Sequence, residues 1–290
     1  LCNAASMSKN TTSVRFEIFD VFAERQLEGN QLAVVEAPPE LPETLLLPLA
    51  HEIGFSETVF VTDLPRSDTA AVRIFTPGVE IPFAGHPVLG TAAWLCARSG
   101  LDGTVMVNTR HSTVDVEVEA QDDGSWHATM DQPWPETVDP GPLTSPADFG
   151  VEQIAAPTVA YDNGARYSYV ELESAEAVAA AHPDLGALAA LDTDLVLFAA
   201  LDQPGKFKVR MFAPAHGIGE DPATGSAAGP LAVHLTSTGR CEDESEIEIR
   251  QGAELGRPSL LKASAELKPQ RVTVAGGVFG VGSGTFELTY

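Results

Sequence analysis

Apolar and polar residues alternate in several stretches of the chain, and each such stretch predicts a strand with one buried face. Val114-Asp115-Val116-Glu117-Val118-Glu119 does this within the segment from Thr104 to Glu119, and Glu246 to Arg250 does it around Ile247-Glu248-Ile249. Two apolar stretches have the length of helices. One runs from Gly90-Thr91-Ala92-Ala93 to Ser99-Gly100, the other from Gly225-Ser226-Ala227-Ala228 to Thr238-Gly239. Each ends at glycine, the expected stop for a helix. A further helix is predicted from near Pro42 to Gly54, and Thr58 then opens an apolar strand.

The pattern occurs twice. Val72-Arg73-Ile74-Phe75-Thr76-Pro77 recurs as Val209-Arg210-Met211-Phe212-Ala213-Pro214 at an offset of 137 residues. At the same offset of 137, Glu57-Thr58-Val59-Phe60-Val61 lies over Asp194-Leu195-Val196-Leu197-Phe198. Gly90-Thr91-Ala92-Ala93 matches Gly225-Ser226-Ala227-Ala228 at an offset of 135, which implies a two-residue change in loop length. Each copy reads as helix, strand, turn, strand, loop, helix and antiparallel strands. Strand–proline–loop–helix units are common, but ungapped agreement over two strands and the gap between them argues for a duplication. The Pro-rich stretch from Gln132 to Pro146 is the expected linker. The expected halves are 13–132 and 133–290, with the last strand free to return to the first half.

Composition narrows the function classes. A chain of 290 residues, 44% hydrophobic, can bury one large core or two ordinary ones. No apolar run approaches the roughly 20 residues of a membrane span. Leu1 to Thr12 is polar and has no signal-peptide pattern; Met7 is a candidate natural start. Cys2, Cys96 and Cys241 are far apart and match no metal spacing, and Cys96 sits in an apolar run as a buried, inert thiol. A reducing cytoplasm is the expected compartment. The net charge of -24 opposes binding to nucleic acid or an anionic membrane.

Candidate chemistry lies in the loops before the two helices, Gly78 to Pro87 and Ala215 to Thr224. Gly85, Gly90, Gly219 and Gly225 allow backbone N–H groups to approach a ligand, and Thr91 and Ser226 can cap the helix starts or face an anion there. Two helix ends facing each other would hold a carboxylate without a cation. Turn-shaping glycines are the competing reading. Glu57 lies between Gly54 and an apolar strand, where partial burial would raise its pKa and suit it to proton transfer. A solvated turn carboxylate is the alternative. His86 is the single histidine in the first loop, and His216 is its rough counterpart. Nucleotide, dinucleotide and serine-hydrolase motifs are absent.

Five segments together resemble the PhzF family of phenazine-biosynthesis-like isomerases and epimerases. They are Asp20-Val21-Phe22 with Gly29 to Val35, Gly54 to Phe60, Arg73 to Pro77, Phe83 to Ala92, and Gly219 to Ala227; Val274-Ala275-Gly276-Gly277 adds a late glycine strand. The resemblance implies an α+β, diaminopimelate epimerase-like fold. That fold has two pseudo-symmetric domains, each a β-barrel-like sheet wrapped around a central helix, with the site between them. It implies Glu57 as the proton-transferring acid/base, His86 and Asp221 as groups that orient substrate and proton transfer, and Gly85 and Ser226 as carboxylate contacts. Thr224 and Gly225, beside them in the same motif, are expected substrate contacts as well. It also implies no cofactor, no metal, a small carboxylate substrate and a homodimer. Related epimerases carry one thiol per half, at positions that here are Ala84 and Thr224, so a two-thiol racemase mechanism is excluded. The expected activity is an isomerase that moves a proton and a double bond. An epimerase or lyase using the same Glu57, and a non-catalytic carboxylate-binding protein, are the competing readings.

Overall fold

The computed structural model describes residues 11–63, 68–141, 145–191 and 193–290. The first half runs β1 (Thr11–Val21), β2 (Asn30–Glu36), α1 (Leu46–Ile53), β3 (Glu57–Val61), β4 (Thr69–Phe75), β5 (Glu80–Ile81), α2 (Gly85–Ser99), β6 (Gly103–Asn108), β7 (Thr113–Ala120), β8 (Trp126–Gln132) and β9 (Glu136–Val138). The second runs β10 (Val159–Asp162), β11 (Arg166–Glu171), α3 (Ala175–Ala180), α4 (Leu185–Leu188), β12 (Asp194–Ala200), β13 (Lys206–Ala213), β14 (Ile218–Asp221), α5 (Gly225–Ser237), β15 (Glu246–Gln251), β16 (Ser259–Glu266) and β17 (Arg271–Thr289).

The two halves repeat one pairing scheme. In the first, β1–β2 is antiparallel, β2–β3 parallel, β3–β4 antiparallel, β4–β6 parallel, and β6–β7–β8 antiparallel. In the second, β10–β11, β11–β12, β12–β13, β13–β15 and β15–β16–β17 follow the same order and directions. Each half also lends a strand to the other. β9 pairs with β10, and the end of β17, from Val278 to Thr289, pairs with β1. The Pro-rich stretch expected as a plain linker thus contains β9.

Strand composition explains the layering. All five residues of β3 are buried. Val59 and Val61 face the cluster that contains α2, while Phe60 faces α1 and meets Phe75 edge to face at 5.3 Å. In β12, Val196 and Phe198 face the same central cluster, and Leu195 and Leu197 pack under α3 and α4. Such unbroken apolar runs are what a strand covered on both faces requires. The central helices α2 and α5 are buried along nearly their whole length, so they carry little polar residue on any side.

The helix starts differ from the sequence expectation. α2 begins at Gly85 and α5 at Gly225, an offset of 140 rather than 135. Gly90 and Thr91 therefore lie in the second turn of α2. A side chain at Gly90 would strike Leu32 at 2.4 Å, so that glycine seats the helix on the sheet and not on a ligand. The Thr91 hydroxyl bonds the Pro87 carbonyl at 2.7 Å and caps nothing. Among the described residues, no helix is long and apolar enough to cross a membrane.

Candidate active site

The starts of α2 and α5 abut at the seam between the halves. A methyl group at Gly85 would stand 3.1 Å from the Ser226 nitrogen and 3.3 Å from the Gly225 carbonyl carbon. Ala84 and Thr224 occupy the two N-cap positions, and neither side chain caps its helix. Two helix ends without a side-chain cap, and their positive dipole ends, therefore meet, an arrangement that favours an anion between them. Pro230 sharpens the second start. It has no N–H to bond the Ser226 carbonyl four residues back, and Asn163 Nδ2 takes that carbonyl instead at 2.9 Å. The Ser226 hydroxyl meets the Tyr167 phenol at 2.6 Å.

Beside these helix ends is a buried polar cluster. Asn30, the first residue of β2, reaches across the seam: its Nδ2 donates to Asp221 Oδ1 at 2.9 Å and to the Ala223 carbonyl at 3.0 Å. Its Oδ1 accepts from Ser56 at 2.8 Å, and the same Nδ2 lies 3.3 Å from His86 Nδ1. Glu57 opens β3 and is 8% exposed, with Oε2 3.6 Å from His86 Nδ1 and no hydrogen bond to that oxygen among the described residues. Asp221, at the end of β14, accepts from Thr224 Oγ1 at 2.5 Å, and Gln251 Nε2 donates to its carbonyl at 2.8 Å and to Thr224 Oγ1 at 3.1 Å. The Thr224 hydroxyl, read from the sequence as a ligand contact, is thus engaged in holding Asp221.

Burial sets the charge states. Desolvation raises Glu57 to about 8, reinforced by the negative charge of Asp221 and opposed by the Ser56 hydroxyl and by His216. Desolvation likewise raises Asp221 to about 7, against the hydrogen bonds from Thr224 and Asn30. His86 is pushed down to about 3 by burial and stays neutral, so its 3.6 Å approach to Glu57 is a polar contact and not an ion pair. The solvated-turn reading of Glu57 fails on this geometry. Burial also lifts the Cys96 thiol to about 11, in keeping with an inert core residue.

Glu57, Asp221, Thr224 and Ser226 line one cavity of about 750 Å³, with Asn30, His86 and Gln251 held behind its wall. Glu57, Thr76, Ile81, Phe83 and Ala84 come from the first half, and Tyr167, Asp194, Met211, His216, Ile218, Asp221, Thr224 and Ser226 from the second. Its loops are pinned by a matched pair of salt bridges. Arg73 grips Glu80 through two bonds of 2.8 Å, and Arg210 grips Glu220 in the same way, also at 2.8 Å.

The structure brings Glu57, His86, Asp221, Gly85, Gly225, Ser226 and Thr224 together at the seam. It leaves Gly90 and Thr91 out, and a methyl group at Gly219 would meet only the Leu185 side chain, at 3.6 Å. Sequence reasoning gave no role to Asn30, Gln251, Tyr167 or the two Arg–Glu pairs. The pairs had a signal: Arg73 and Arg210 interrupt both copies of the apolar hexapeptide. Asn30 lay in a motif of the family resemblance, but its role was not legible because its partner Asp221 is 191 residues away; Gln251, in no such motif, had no signal.

Comparison with known proteins agrees with this architecture. The phenazine biosynthesis-like protein family, PhzC-PhzF, matches residues 19–284. The trans-2,3-dihydro-3-hydroxyanthranilate isomerase of Pseudomonas chlororaphis is 40% identical over 278 residues, which cover 94% of this chain and 99% of that protein. The crystal structure of the PhzF-family protein of Bacillus anthracis superposes with a TM-score of 0.83 at 20% identity, covering 96% of this chain and all (100%) of that one. A hydroxyproline epimerase of Agrobacterium vitis shares the fold at a TM-score of 0.62 and 13% identity, over 98% of this chain and 93% of that one. The matched family region includes both helix starts, the seam and every residue of the cluster. The chain belongs to the PhzC-PhzF phenazine biosynthesis-like family and is an isomerase with a diaminopimelate epimerase-like fold.

Proposed function

We propose that this isomerase moves a proton and a double bond within a small ring carboxylate of the trans-2,3-dihydro-3-hydroxyanthranilate type, with Glu57 as the single acid/base. The observation that carries this reading is a buried carboxyl, raised by desolvation to about 8, on the wall of a cavity that also holds two abutting, uncapped helix starts. The helix N–H groups and the Ser226 hydroxyl anchor the substrate carboxylate. Ile81, Phe83, Met211 and Ile218 supply an apolar lining for a flat ring.

Ionised Glu57 takes a proton from an sp³ ring carbon next to the conjugated system. The electron pair of that C–H bond spreads through the diene into the carboxylate, where the helix ends stabilise the added charge. Protonated Glu57 then returns the proton to a different carbon, and the double bond has moved. Every group ends in its starting state, so the cycle needs no cofactor. A pKa near the working pH lets one carboxyl both accept and donate. Asp221 keeps the proton affinity of Glu57 high, and Asn30 holds Asp221 in place.

The test is turnover of trans-2,3-dihydro-3-hydroxyanthranilate in deuterated water. The expected result is an isomerised product whose new C–H bond carries deuterium to the extent that protonated Glu57 exchanges with solvent before it returns the proton, and loss of about 10²–10⁴-fold in kcat for Glu57→Gln. Full turnover in a folded Glu57→Gln variant removes the acid/base role. Stereoinversion without double-bond migration would move the assignment to an epimerase.

A further inference from the structure

The cavity contains a second titratable pair that the proton transfer above does not use. His216 follows β13 in a short turn, and its Nδ1 lies 3.3 Å from Asp194 Oδ2. Asp194 opens β12 and is buried, whereas the His216 ring is half-exposed (51%) and lines the cavity. Asp194 is the counterpart of Glu57 in the duplication. Both open a strand at the same place in the pairing scheme, Glu57 opposite Leu32 of β2 and Asp194 opposite Tyr167 of β11. The pair thus stands on the wall that the second half contributes, as Glu57 stands on the wall from the first.

Holding the turn is not a sufficient role for this pair. The turn is already closed by the Gly217 N–H to the Pro214 carbonyl at 3.1 Å and by the pairing of Ala213 with Ile218. The Arg210–Glu220 grip fixes the same hairpin, with both bonds at 2.8 Å. The first half builds the corresponding turn without a histidine, carrying Val79 at the equivalent position. What Asp194 adds is orientation. A carboxylate on Nδ1 fixes the ring plane and leaves Nε2 for another partner, and among the described residues Nε2 makes no hydrogen bond.

Resting on the ring-carboxylate reading of this cavity, we propose that the Asp194–His216 pair is a second recognition site, whose Nε2 hydrogen-bonds an oxygen substituent on the ring of the substrate, a hydroxyl or an oxo group. The helix starts hold the carboxylate, the apolar lining holds the ring, and His216 reads what the ring carries. His216 is therefore a specificity-determining residue. The groups around it are Asp194 on β12, Glu57 on β3, Asp221 on β14 and Tyr167 on β11. Asp194 raises the proton affinity of the imidazole, which makes Nε2 a donor suited to oxygen and not to an ammonium.

The test is calorimetric binding of two aromatic probes, 3-hydroxyanthranilate and anthranilate, to the full chain and to His216→Phe and Asp194→Asn. The wild type should prefer the hydroxylated probe by about tenfold, the scale of one hydrogen bond. His216→Phe should bind both probes equally, with anthranilate affinity unchanged within about twofold, and Asp194→Asn should fall between. Equal binding of the two probes to the wild type overturns this inference alone. Parallel loss of both probes in His216→Phe also overturns it, by showing a structural role. Failure of the wild type to bind either probe overturns the ring-carboxylate reading and this inference with it.

Discussion

The buried state of Glu57 has a consequence for stability that needs no substrate to measure. In the unfolded chain this carboxyl titrates near 4.5, and in the folded protein near 8. Below pH 4.5 it is protonated in both states and does not affect their balance. Above that pH the unfolded chain releases the proton while the folded chain keeps it, so stability falls as pH rises, and the loss is complete above about 8. A shift of this size corresponds to about 5 kcal/mol as a ceiling. Glu57 lines an open cavity, which lets the ionised form find solvent, so about 2 kcal/mol is the working figure. Glu57→Gln removes the titration and keeps the shape. Urea unfolding of both proteins from pH 5 to pH 9 should show the variant gaining about 2 kcal/mol relative to the wild type across that window. Any constant offset from the amide cancels in the comparison. Parallel curves for the two proteins would refute the desolvated state of Glu57 and, with it, the acid/base argument.

Two further substitutions test the geometry around the cluster. Asn30→Asp replaces the donor to Asp221 with a third carboxylate and should cost about 2–4 kcal/mol in urea unfolding at pH 8, and less at pH 5; an equal loss at both would show that the charge of Asp221 plays no part. Gly85→Ala places a methyl 3.1 Å from the Ser226 nitrogen and should push the helix starts apart. Binding of small carboxylates should weaken about tenfold by calorimetry, while the thermal midpoint falls only a few degrees. Unchanged affinity would separate the helix seam from carboxylate binding.

The sequence determined the duplicated framework, because it is built from local signals. Apolar runs and alternations mark strands, glycines at positive φ end α1 and α2, and the hexapeptides at Val72 and Val209 lie on the same strand of each half. It also pointed to Glu57, His86 and Asp221, since they sit in motifs long enough to resemble a known family. The start of α2 was misplaced by five residues. Gly90 and Gly225 look alike in sequence, and only packing on Leu32 and Val21 distinguishes a seating glycine from a helix start. Tertiary structure alone decided that the helix ends abut, that Asn30 bridges the halves, and that Thr224 serves Asp221 and not a ligand. Those facts depend on groups brought together across the seam, in one case from 191 residues apart. The raised proton affinity of Glu57 belongs to the same class: it arises from burial and from the charge of Asp221 in the other half, which no local stretch of sequence encodes.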